Sequence, residues 1–97
     1  MPSYVVAMID VNDPEAFGRY AAAVHEVTET FGGRYLFAGP GATALEGEPV
    51  PDGVAIIEFP SAADAHRWYE SSEYAPLIEL RRSAASSLLV LTPDVSS

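Results

Sequence analysis

The stretch Val54–Ala65, VAIIEFPSAADA, constrains the fold more than any other part of the chain. Successive side chains of an extended chain point to opposite faces. Val54, Ile56 and Glu58 therefore share one face, and Ala55, Ile57 and Phe59 the other. With one carboxylate as the exception, both faces are apolar, so this strand has to be covered on both sides. Pro60 stops it. Ser61, followed three positions on by Asp64, then marks a helix N-cap with its capping-box partner.

The remaining elements can be read around that strand. Tyr4–Ile9 is a first strand, also apolar on both faces. Asp13-Pro14-Glu15 supplies an N-cap, a proline at the first helical position and a first-turn acid. Phe17, Tyr20, Ala21, Val24, Thr28 and Phe31 follow at the spacing of one buried helical stripe, and Gly32-Gly33 closes it. Arg34–Ala38 reads as a second strand. Gly39-Pro40-Gly41 interrupts it, Ala42–Glu46 is expected to resume as a bent continuation or short edge segment, and Glu46–Gly53 to form an exposed hairpin loop. A helix over Ala62–Glu70 places Ala65, Trp68 and Tyr69 on its inner face. Ser71-Ser72 breaks it, and a further helix over Glu73–Ser83 carries Pro76 in its first turn. Leu77, Leu80, Arg81 and Ala84 lie on one side of that helix. Ser87–Thr92 is the last strand, and Pro93–Ser97 a short polar tail.

Strand, helix, strand, strand, helix, strand, with an extra helical turn before the last strand, predicts an α+β, ferredoxin-like βαββαβ domain over residues 1–97. Its sheet is four-stranded and antiparallel, with the helices on one face. The strands are apolar on both faces while the helices cover one. A second copy related by a two-fold axis would cover the other, so a homodimer with facing sheets is expected.

Charge narrows the partners. Fourteen acidic groups stand against five arginines and no lysine, a formal net charge of −9. Such a surface repels phosphate backbones and anionic lipids, so neither nucleic acid nor membrane is expected as a partner. The lack of lysine excludes a lysine Schiff base. The lack of cysteine excludes a disulfide framework, a thiolate nucleophile and a cysteine metal site. No apolar run approaches the roughly 20 residues of a membrane span, and MPSYVVAMID has no signal-peptide pattern, so a cytoplasmic location is expected. No Gly-rich phosphate loop follows a strand, and the length leaves no room for a flavin or nicotinamide fold. No cofactor is expected.

Taken in order, DVNDPEAFGRYAAAV, FGGRYL, LEG, IEFPS, WYESSEY and LRRSAA resemble domain-of-unknown-function family 1330 over roughly Tyr4–Leu91. Phe17 stands where that family often has tyrosine, and Ser72 where it often has proline. The resemblance implies the dimeric α+β barrel superfamily, hence a ferredoxin-like fold and a face-to-face dimer. It does not imply one activity. The superfamily includes cofactor-free quinol monooxygenases, small isomerases and cyclases, heme-binding proteins, stress-response barrels and ligand-sensing domains.

Several residues are candidates for chemistry. Glu58, mid-strand between Ile57 and Phe59, either locks the fold by pairing with Arg34 or Arg81 or acts as a base with a raised pKa. Arg81 and Arg34 could clamp a ligand anion. Tyr20, Trp68, Tyr69 and Tyr74 are either core or the wall of a helix–sheet pocket. His25 and His66 each have a glutamate four residues on, Glu29 and Glu70. Neither pair has a third ligand, so no metal site is expected, and His25 is the better candidate for moving a proton. Three functions stay open: binding of a small apolar or aromatic molecule, cofactor-independent catalysis (of monooxygenase, isomerase or cyclase type) on a phenolic or polyketide-like compound, and a structural dimer without ligand.

Overall fold

A computed structural model describes residues 1–96. The elements are β1 (Ser3–Val11), α1 (Pro14–Thr30), β2 (Arg34–Gly39), β3 (Gly53–Phe59), α2 (Ala62–Tyr69), α3 (Ala75–Ala84) and β4 (Ala85–Leu91). The strands form one four-stranded sheet in the order β2-β3-β1-β4, and every neighbouring pair is antiparallel. This is the expected ferredoxin-like arrangement. β3 is central, and all three helices lie on one side.

Local chemistry sets the ends of the elements. Asp13 caps α1, its side chain accepting from Ala16 N at 3.2 Å. The chain leaves α1 through Gly32 at a φ of 88°, a left-handed conformation that costs glycine little. Gly33 is needed for a different reason. A Cβ there would lie 2.5 Å from Thr28 Cγ2 and 2.9 Å from the Phe59 ring. Ser61 caps α2 by accepting from Asp64 N, and donates its hydroxyl back to the Asp64 carboxylate at 2.9 Å.

Several segments differ from expectation. Ala42–Glu46 forms no strand; the chain runs irregularly from Pro40 to Asp52. The segment that would have to pair with it contains Pro49 and Pro51, which have no N–H to donate. Asp52 is instead drawn to β1, where its carboxylate accepts from Val11 N and its own N–H donates to Asp10 Oδ1. α3 begins at Ala75, because Ser71 Oγ accepts from Tyr74 N and holds the preceding residues in a turn. The tail is also tied down. Val95 N donates to Pro2 O, and Asp94 accepts from Ala62 N at the start of α2. Ser97 lies outside the described residues.

Register decides which strand residues meet the helices. Val5, Ala7 and Ile9 of β1, Ile57 and Phe59 of β3, and Leu89 of β4 face them. Tyr20, Val24, Ala65, Trp68, Tyr74 and Ile78 pack against that side. The opposite face carries Val6 and Met8 of β1, Val54 and Ile56 of β3, and Leu88 and Val90 of β4. A bulge between Tyr35 and Phe37 brings Phe37 opposite Ile56 on that face. Met8, Phe37, Leu88 and Val90 remain exposed there.

Candidate functional site

The space between sheet and helices is not completely filled. A cavity of about 300 Å³ remains among β1, β3, α1 and the α2–α3 turn. Its floor is apolar strand surface: Val5, Ala7, Ile9, Ala55 and Ile57. Helical spacing supplies the walls. Phe17, Tyr20, Ala21 and Val24 come from α1, Trp68 from the inner face of α2, and Arg81 from α3. Tyr74 comes from the turn that Ser71 holds, and His25 and Tyr35 complete the α1 side.

The polar groups of this wall form a short chain. Arg81 Nη1 donates to Tyr74 Oη at 2.7 Å, and Tyr74 Oη is hydrogen-bonded to Tyr20 Oη at 2.7 Å. The Arg81 guanidinium also lies 5.8 Å from the centre of the Tyr20 ring. Trp68 stacks on Tyr74 with ring centres 4.4 Å apart. All of this is deep: Tyr74 is 0% exposed, Trp68 1% and Arg81 4%. Burial, reinforced by the adjacent Tyr20 oxygen, pushes the Tyr74 phenol far above its ordinary value. It is therefore a neutral hydrogen-bonding group rather than a base. Burial opposes the charge of Arg81, but a guanidinium stays protonated in a protein interior, and its Nη1 is held by the Tyr74 oxygen.

Tyr35 sits on the α1 side. Thr28 Oγ1 donates to Val24 O, so the Tyr35 hydroxyl donates to Thr28 Oγ1, at 3.1 Å. Burial raises the Tyr35 phenol to about 12. His25 stacks flat on Tyr35, ring centres 4.1 Å apart, with an exposed edge.

The sequence matches the family model for the domain of unknown function DUF1330 across residues 2–95. The chain belongs to the DUF1330 family. No curated protein matches it. Solved structures similar to this DUF1330 chain include RPA0582, a protein of unknown function from Rhodopseudomonas palustris. It has a TM-score of 0.82 and 21% identity, over 99% of this chain and 84% of that one. SnoaB, a cofactor-independent oxygenase from Streptomyces nogalater, has a TM-score of 0.71 and 14% identity, over 99% and 95% of the two chains. A dimeric protein of unknown function with a ferredoxin-like fold from Bacteroides fragilis has a TM-score of 0.70 and 11% identity, over 96% of each. At such identities the likeness establishes the fold.

The candidate residues of this DUF1330 chain divide between two faces. Tyr20, His25, Trp68, Tyr74 and Arg81 all border the cavity. Glu58 and Arg34 do not: they pair across β3 and β2 on the helix-free face, Arg34 Nη2 to Glu58 Oε1 at 2.7 Å. Tyr4 donates to the other carboxylate oxygen at 3.1 Å. The Arg34 hydrogen bonds, then the one from Tyr4, hold the Glu58 carboxyl below its ordinary value, opposite to the raised value a general base would need. The hydrogen bond to that carboxylate raises the Tyr4 phenol in turn. Tyr69 lies outside the cavity, 38% exposed at the rim of α2. His66 is exposed, and no group of three potential metal ligands occurs among the described residues. Nor is any described helix long and apolar enough to cross a membrane.

Tyr35 is a wall residue that spacing did not single out. Its neighbour Arg34 carries the charge of that stretch, whereas alternation along β2 turns Tyr35 to the opposite, helix-covered face.

Proposed function

We infer that this protein binds a small, mostly apolar or aromatic molecule in the helix–sheet cavity, and that it works as a single-domain homodimer joined through the helix-free sheet face. The observation that carries the binding reading is the aromatic wall around an unfilled space. Protein interiors are normally close-packed, and ligand sites are apolar concavities with a few convergent polar groups. Tyr20, Trp68, Tyr74 and Arg81 are the ligand-contacting residues in this reading. Arg34 and Glu58 belong to the dimer face instead.

Native mass spectrometry of freshly purified protein, compared with the same sample denatured, tests both parts. A dimer carrying a reproducible extra mass supports them. A bare dimer favours a structural role for the assembly.

The second reading is a cofactor-independent enzyme acting on a phenolic or polyketide-like compound. It is favoured by the presence of a cofactor-independent oxygenase among the similar structures and by the position of His25 at the cavity wall. In that version His25 accepts a proton from the bound compound, and Arg81 stabilises the oxygen that becomes ionised.

A further inference from the structure

We propose that the molecule held in this cavity is an anion: a small planar aromatic compound whose negatively charged oxygen group lies against Arg81. The proposal rests on the cavity being a binding site and adds the charge of what it binds.

Charge placement gives the first argument. The chain has five cationic side chains, all arginine. Four are exposed, and each has an acidic partner: Arg19 with Glu15, Arg34 with Glu58, Arg67 with Asp64 and Arg82 with Glu79. Arg81 is the buried one, and it has no carboxylate partner among the described residues. In a protein of net charge −9 an acid at this spot would be easy to supply. A buried cation without a counter-charge is unfavourable, and an anion entering the cavity removes that penalty.

Hydrogen-bond arithmetic gives the second. Arg81 Nε and Trp68 Nε1 are both buried without a partner among the described residues. The tyrosine pair adds another donor. If Tyr74 donates to Tyr20, the Tyr20 hydroxyl hydrogen has no acceptor among the described residues; if Tyr20 donates to Tyr74, the Tyr74 hydrogen has none. Either way, one O–H is left over. The unsatisfied groups of this wall are therefore all donors. A neutral hydrocarbon would leave them unpaired, and a cation would be repelled. An oxyanion accepts from several donors at once and suits the planar guanidinium. Trp68 and Tyr74, stacked on one another, favour a flat apolar body for the rest of the ligand.

The test is calorimetric titration of the intact protein with benzoate, 2-naphthoate and anthracene-2-carboxylate, each beside its primary amide. Acid and amide share shape and differ in charge. The best-fitting acid should bind at least about tenfold more tightly than its amide, the size of effect expected for hydrogen bonds to a charged group. Arg81→Met should bring that acid down to the level of its amide, weakening the acid far more than the amide. If acid and amide of every size bind alike, the charge inference falls while the cavity reading stands. If none of these compounds binds, both fall. Unfolding of ligand-free Arg81→Met separates binding from scaffolding. Its urea midpoint should be no lower than that of the parent, because Tyr74 keeps Tyr20 as a partner. A large drop would make Arg81 a structural support for Tyr74 and overturn the proposal.

Discussion

Glu58 illustrates how a residue's environment decides its role. Its two carboxylate oxygens are taken by Arg34 and Tyr4, which favour the ionised form and lower its pKa in the folded protein. A carboxyl whose folded-state pKa is depressed stabilises the fold above its unfolded value, and that contribution disappears as the pH falls. Glu58→Gln should therefore be less stable than the parent near neutral pH. The gap should close as the pH drops below the ordinary glutamate value of 4.5, read from urea midpoints of the two proteins across the acid range. A gap independent of pH would mean that packing, and not charge, holds Glu58 in place. Alternation along β3 already grouped Glu58 with Ile56 and separated it from Ile57 and Phe59. What the residues could not reveal was which group the helices cover, because both are apolar. The answer puts Glu58 and Arg34 on the face away from the cavity, paired with each other, which is the ion-pair alternative offered for Glu58.

Elements were legible wherever a chemical signal marked an end. Asp13-Pro14, Ser61 with Asp64, and Gly32-Gly33 act through donors, acceptors and backbone conformation that belong to their own neighbourhood. The expected strand at Ala42–Glu46 failed because pairing is a property of two segments, and the second, Glu48–Asp52, is interrupted by prolines. The tail was read as merely polar for a similar reason, since its partners Pro2 and Ala62 are remote in the chain. Asp94 accepts from Ala62 N at 2.7 Å and adds a negative charge where α2 exposes its N–H groups. Asp94→Ala should cost about 0.5–1 kcal/mol in urea unfolding, with the helix content by circular dichroism little changed. A loss indistinguishable from zero would show that Ser61 alone caps α2.

At the scale of the molecule, the Cα atoms fill a slab of 34 × 33 × 16 Å. One broad side of it is the helix-free sheet. Met8 and Leu88 are paired neighbours there, 48% and 60% exposed, and with Val6, Ile56 and Val90 they make a continuous apolar surface of the kind that marks an interface. Light scattering at micromolar concentration should give a dimer for the parent chain and a monomer for Leu88→Asp, with unchanged far-ultraviolet circular dichroism. A dimeric Leu88→Asp would place the interface elsewhere. Tyr69, which helical spacing put on the inner face of α2, lies at its rim, and Tyr74 stands in the turn before α3, but the inward direction of Tyr20 and Trp68 was readable from that spacing. The shortage of acceptors around Arg81 was not, because it depends on what every other acid in the fold is doing. Trp68, finally, is the chain's one tryptophan, and it stands in the wall of that cavity, its indole flat on Tyr74. Excited at wavelengths that tyrosine does not absorb, the protein therefore emits from a single known position. A molecule placed in that space would change the colour and brightness of that one ring, which makes the ring an optical gauge of the cavity.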